Sequence, residues 1–217
     1  MDKLFLQIIN MSITSSYVII FVMVFRLLLK RFPKIFSYVL WSVVLFRLII
    51  PFSVEGIFSL VPVSTVVPQN IAYVQKPEIN SGISVVDNAV NNILPPAAPM
   101  ASANPMQIWI AVGKAVWLTG ISLLLIYSFL TALRLYNDLK NGKHIKDNIY
   151  EMDKLKTPFV FGIFRPRIYL PSCISEYEKP YILLHEQIHI KRFDHVIKPI
   201  AFLVSCIHWF NPLVWAA

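Results

Sequence analysis

Charge is scarce in this sequence. Only 15% of its 217 residues are Asp, Glu, Lys or Arg, against about 25% in an ordinary soluble domain. Acids are scarcer than bases, 12 against 20, which leaves a formal net charge of +8. Cysteine is nearly absent, with Cys173 and Cys206 and no CxxC spacing. Two cysteines cannot build a disulfide scaffold, so both read as small buried apolar residues of a reducing compartment. There is no internal repeat and no glycine-rich phosphate loop. The excess of base does not sit in any recognised nucleic-acid module. It clusters beside apolar runs, where membrane lipid and topology account for it, and no direct nucleic-acid partner is expected.

What is abundant is apolar surface, 56% of residues, gathered into runs long enough to cross about 30 Å of hydrocarbon. The first run is Leu4–Leu29. It is longer than the apolar core of a signal peptide, and its basic cluster follows it instead of preceding it, so it reads as a retained span. Asn10, Ser12, Thr14, Ser15 and Ser16 make its first half semi-polar, as on a helix face turned toward neighbouring helices. The second run is Phe36–Val54, with Arg47 snorkelling to the far interface. The third is Gln107–Leu133, with Lys114 near one end and Gly113 and Gly120 allowing close helix contact.

Arg26, Lys30, Arg31 and Lys34 surround Pro33 between the first two runs. Arg134, Lys140, Lys143 and Lys146 follow the third. By the positive-inside rule both sites are cytoplasmic and the N-terminus is outside. The expected organisation has four parts: residues 1–54, two spans with a basic hairpin; 55–106, an extracytoplasmic loop, poorly ordered near 95–105 and without chemistry; 107–133, the third span; and 134–217, a cytoplasmic domain.

That last part reads as α+β. "GKHIKDNIYEMD" predicts a turn and a short strand. Prolines and a glycine in "TPFVFGIFRPRIYLP" bound strands at Phe159–Phe161 and Arg167–Leu170, consistent with a hairpin. Ser175 and Glu178 form a capping-box pair, and Pro180 places the end of one short helix and the start of a second near Tyr181.

The second helix carries "HEQIH". Residues four apart share a helix face, so His185 and His189 can offer two imidazoles to one Zn2+. Glu186 is offset around the helix, where it can take a proton from a polarised water without filling a coordination place. Ile182, Leu183, Leu184, Ile188 and Ile190 are expected to bury the helix and dry one side of the site.

Taken in order after three spans, "TPFVFGIFRPRIYLP", "LLHEQIHIKRFDH" and "HWFNPLVW" resemble the BlaR/MecR-type membrane zinc metallopeptidases, the signal transducers of β-lactam resistance. The resemblance covers the whole chain in topology and residues 157–215 in motif. It implies a mainly α, polytopic membrane protein with three transmembrane helices and a cytoplasmic, α+β, zincin-like metallopeptidase domain. It implies His185 and His189 as zinc ligands and Glu186 as general base. It implies an outer signal answered by cleavage of a cytoplasmic protein, such as a transcriptional repressor, or of the chain itself. "FRPRIYLP" is the segment that would pair with an extended substrate.

The resemblance also implies a third ligand, a glutamate beyond "HWFNPLVW". No glutamate follows Glu186 here. His195 and His208 are the remaining donors, His195 on a different helix face and His208 a structural histidine beside Trp209 and Asn211. The apolar ending at Ala217 is read as truncation, so the domain is expected to be incomplete. Val196–Trp215 is expected to be re-entrant or membrane-embedded, broken by Pro199 and Pro212. No Ser-x-x-Lys occurs, so no penicilloyl-accepting serine domain is encoded. Three alternatives stand beside this reading: a catalytically inactive regulatory or binding relative, a membrane peptidase of the heat-shock or CAAX-protease type, and a helical scaffold with a chance motif.

Overall fold

Residues 1–28, 34–50, 66–96, 104–153 and 155–217 are described by a computed structural model. They are mostly helical, with one small sheet, and form two compact units: Met1–Ser122 with Val204–Ala217, and Leu123–Leu203.

The first unit is built on long apolar helices. Helix α1 (Asp2–Leu28) and helix α4 (Pro105–Leu139) are each long and apolar enough to cross a membrane. Helix α2 (Lys34–Ile49) has 16 residues, about 24 Å of helix. The rest of the expected second span, from 51 to 54, lies outside the described residues. So does most of the basic hairpin, 29–33.

The semi-polar half of α1 does face neighbours. Asn10 clips the backbone of Val67 with two 2.8 Å bonds, donating from Nδ2 to its carbonyl and accepting its N–H at Oδ1. Ser12 and Ser16 accept from Asn211. Both expected close approaches on α4 are present. Gly113 lies under the Phe5 ring, and a Cβ on Gly120 would meet the Trp209 indole at 2.3 Å. Only hydrogen fits there. Lys114 pairs with the Asp2 carboxylate.

Residues 66–96, part of the expected extracytoplasmic loop, carry local structure. They contain helix α3 (Ser84–Asn91), and Val66, Ile71 and Ala72 are buried, the last two in a cluster with Phe5, Leu6, Met106, Ile110 and Trp117. Asparagines substitute for regular ladders here. Asn91 clips both backbone groups of Ile79, and Asn104 donates to the Ala72 carbonyl. Most of the stretch 95–105, expected to be poorly ordered, lies outside the described residues.

Within this segment Asp87 Oδ1 accepts from the hydroxyl and the N–H of Ser81, both at 2.6 Å. These bonds, the hydroxyl first, hold its carboxyl below the ordinary value of 3.8. A depressed folded pKa stabilises above the unfolded value, and the contribution is lost as pH falls through the folded pKa. Amide exchange over 79–91, corrected for intrinsic rate, should therefore accelerate as acid is added from about pH 5 to pH 2, and Asp87→Asn should remove that dependence. Exchange that is flat across the range in the unsubstituted chain would refute it.

The segment after Leu203 belongs to the first unit. Helix α6 (Asp194–Ile207) runs through Pro199 without a break, a correction to the expectation. One proline deletes one backbone bond, and the remaining bonds hold the helix. The break comes at 208–210, after which Asn211 caps helix α7 (Pro212–Ala216) by accepting from Leu213 N at 3.0 Å. Val204 and Val214 are buried with Ile19, Val22, Val44 and Leu48. Cys206 is buried as expected, whereas Cys173 is exposed.

The second unit carries the sheet, ordered β1-β2-β4-β3. Where one strand was expected, β1 (Lys143–Lys146) and β2 (Ile149–Met152) form an antiparallel hairpin. Asp147 turns it in a left-handed conformation, φ 50°, which aspartate tolerates better than most residues. Strand β3 (Phe159–Phe161) matches its expected bounds, and β4 (Arg167–Pro171) extends one residue further. They pair antiparallel, while β4 also pairs parallel with β2. His144, Tyr150, Tyr169 and Phe159 make a ladder of ring contacts across all four strands, at centroid spacings of 5.1, 5.3 and 5.7 Å. Such cross-strand aromatic contacts hold register in short strands.

Candidate metal centre

Helix α5 (Lys179–Lys191) carries the histidine motif. Its start is fixed locally. Ser175 Oγ donates to Glu178 Oε2 at 2.9 Å, but this is not the expected capping box: the N-cap is Glu178, without a side-chain cap bond, and Ser175 acts through its carbonyl, which accepts from the N–H groups of Glu178 and Lys179. No separate short helix precedes Pro180, which lies at the second helical position of α5. Lys179 Nζ reaches Glu176 at 2.5 Å and Glu151 of β2 at 3.3 Å. The Glu176 bond, then the Glu151 bond, raise the Lys179 pKa, so this cation is held between two carboxylates and ties the helix start to the sheet.

The helix packs against β3. It is not buried as its apolar residues suggest. No residue of α5 is buried, and Leu184 and Ile188 are 57% and 46% exposed. One three-residue strand cannot cover a helix of 13 residues. The expected dry side is therefore open among the described residues.

His185 and His189 do meet. Their Nε2 atoms face one another at 3.2 Å, with ring planes at 87°. Two ligands of a tetrahedral zinc, each at ~2.0–2.1 Å, stand about 3.3 Å apart. The observed spacing fits two imidazoles sharing one ion. On its far side His189 Nδ1 is bonded to Asp194 Oδ2 at 2.6 Å. Asp194 is buried, and its other oxygen lies 3.8 Å from Arg192 Nε. Glu186 is half-buried, and among the described residues nothing hydrogen-bonds or pairs with its carboxylate. A carboxylate without a protein partner is free to carry a proton.

The remaining candidate donors are placed elsewhere. His195 is on α6 and stacks with Phe193 at 6.2 Å. His208 belongs to the first unit, buried, with Nε2 bonded to the Leu48 carbonyl at 3.2 Å. The expected structural histidine is thus only half satisfied, because its Nδ1 is buried without a hydrogen-bond partner among the described residues. Among the described residues no group of three or more His, Cys, Asp or Glu side chains converges on one ion position.

Strand β4 has neighbours on both edges, β2 and β3, so the "FRPRIYLP" segment has no free edge for a substrate. That correction moves the question to β3, the outer strand beside α5. Sequence reasoning missed Asp194 as part of the site. Its distance from His189, five residues, exceeds helical contact spacing, and nothing in local sequence announces the turn that brings it back.

A sequence model of the family described as BlaR1 peptidase M56 matches residues 6–217. The regulatory protein BlaR1 of Bacillus licheniformis is 33% identical over 131 residues, 46% of this chain and 21% of that protein. The methicillin resistance mecR1 proteins of Staphylococcus aureus and Staphylococcus epidermidis are each 34% identical over 77 residues, 34% of this chain and 13% of theirs. The matched stretches thus cover 21% or less of these relatives' own length.

Proposed function

Because the chain belongs to the BlaR1 peptidase M56 family, we propose that it forms the membrane-embedded, zinc-binding part of a signal-transducing metallopeptidase. His185 and His189 hold the zinc. Glu186 is the general base. The observation that carries this reading is the 3.2 Å approach of the two Nε2 atoms, beside a carboxylate with no other partner.

Zinc bound there supplies Lewis acidity that lowers the pKa of a water and polarises a peptide carbonyl. Glu186 accepts the proton of the attacking water and passes it to the leaving amine. The outer edge of β3 is where an extended substrate segment pairs, next to α5, with main-chain bonds supplying the alignment. The substrate is a cytoplasmic protein, such as a transcriptional repressor, or the chain itself.

Three spans are proposed: α1, the second apolar run Phe36–Val54 that includes most of α2, and α4. The basic residues that follow α1 and α4 place the N-terminus outside and the domain of residues 134–217 inside. Residues 204–217 pack among α1, α2 and α4 instead of forming a further span, which supports a re-entrant segment. The zincin-like fold of the domain rests on the pairing of a zinc helix with an edge strand.

A second reading is favoured by one observation, the lack of a third convergent donor among the described residues. Catalytic zinc sites have three protein ligands and a water. A two-imidazole site suits a regulatory relative that binds zinc weakly and cleaves nothing. The experiment is zinc content of the detergent-purified chain beside His185→Ala. Near-stoichiometric zinc that disappears in the variant supports the site. Equal, trace zinc in both removes it.

A further inference from the structure

We propose that Asp194 is a positioning residue for His189: it fixes the ring's tautomer and aim, so that the Nε2 lone pair points into the site. The proposal rests on the reading that the two imidazoles hold zinc.

A neutral imidazole has one N–H and one lone pair, and the bond made by one nitrogen decides the state of the other. Asp194 Oδ2 lies 2.6 Å from His189 Nδ1, at the short end for a charge-assisted N–H···O bond. A carboxylate can only accept, so Nδ1 carries the hydrogen. That leaves the lone pair on Nε2, the atom facing His185 Nε2. His185 is not held in this way. Among the described residues nothing bonds its Nδ1. One ring of the pair is fixed and the other is free to adjust.

The backbone is shaped for this contact. Helices α5 and α6 are joined by Arg192 and Phe193 alone, and Phe193 adopts φ 59°. For a bulky residue that is an unfavourable conformation, and such outliers cluster at functional positions. The Phe193 side chain does not account for it, because 64% of the residue is exposed. What the conformation achieves is a reversal. Phe193 N donates to Ile190 O at 3.0 Å, and Val196 N and Ile197 N both donate to Phe193 O at 2.9 Å. The first residue of α6 is thereby turned back onto the last turn of α5. The buried carboxylate lands on the outer nitrogen of a ring five residues earlier.

A purely structural role would also be satisfied by Asp194 in the first turn of α6 or beside Arg192, so the test needs a readout that such a role does not move. The full chain, labelled with 15N-histidine in detergent and free of zinc, reports the His189 tautomer by its nitrogen shifts. Zinc affinity is then measured by chelator competition for the unsubstituted chain, His185→Ala, Asp194→Ala and Asp194→Asn. The expected result is an Nδ1–H tautomer at His189 in the unsubstituted chain, a mixture in Asp194→Ala, and zinc binding weakened about 10–100-fold, as for other lost outer partners of ligand histidines. Asp194→Asn keeps the shape without the charge and should fall between the two. An unchanged tautomer in folded Asp194→Ala overturns the proposal, as does zinc affinity of Asp194→Asn equal to that of the unsubstituted chain should Asp194→Ala fail to fold. If the unsubstituted chain binds zinc no better than His185→Ala, the zinc reading itself fails, while the tautomer result still stands or falls alone.

Discussion

Glu186→Gln should retain zinc and lose peptide-bond cleavage. The substitution keeps the size of the side chain and removes only its ability to carry a proton. Because Glu186 is offset from the face that bears His185 and His189, it contributes no ligand in the proposed arrangement, and zinc content should match that of the unsubstituted chain. Proton transfer by a positioned side chain contributes about 10²–10⁴-fold to a rate, so under the proposed function cleavage of the protein substrate should fall by that factor. His185→Ala makes the useful contrast, because it should lose zinc and cleavage together. Parallel zinc analysis and cleavage assays on the two variants separate the roles. A Glu186→Gln chain that loses zinc would make Glu186 a ligand, and one that cleaves normally would remove the general-base assignment.

The approach of His185 and His189 on one helix was legible in the sequence because it depends on helical spacing alone. The same holds for other local features. Ser175 and Glu178 make their contact within one turn. Phe159–Phe161 is bounded by its own proline and glycine. Gly113 and Gly120 mark where side chains cross α4. What escaped depends on contacts between distant segments. Strand order is not written in strand composition, so the inner position of β4 could not be foreseen, and a substrate edge was assigned to the wrong strand. Strand β1 is exposed along its whole length and rich in lysine, so no alternation betrayed it. Residues 66–96 read as loop because asparagine clips replace an apolar period. Asp194 was passed over because its contact depends on one left-handed residue, and phenylalanine is a poor signal for that conformation.

The largest structural effect is expected at Asn211. Its Nδ2 donates to Ser12 Oγ at 2.8 Å, Ser12 O at 3.2 Å and Ser16 Oγ at 2.7 Å, and its Oδ1 caps α7 through Leu213 N at 3.0 Å. One side chain therefore joins α1 to the segment that follows α6. Asn211→Leu keeps the branched outline but removes every donor and acceptor, and its bulkier methyl groups add crowding at a buried position, so the polar loss sets the minimum cost. Losing the cap costs about 0.5–2 kcal/mol. Interhelical bonds in a membrane setting are worth about 0.6 kcal/mol on average and up to about 1.7, because a loosened helix finds other partners. Partners are short here, since Ser15 Oγ is buried beside the cluster with none, which favours the upper values. The sum is a loss of about 2–4 kcal/mol. Replacing Ser12 and Ser16 together by alanine divides it, because that removes both hydroxyl acceptors on α1 and leaves the α7 cap. Thermal unfolding in detergent should rank the unsubstituted chain above the double alanine variant, and Asn211→Leu lowest. If the double alanine variant melts with the unsubstituted chain, the hydroxyl contacts with α1 contribute nothing, and the semi-polar face of α1 needs another explanation.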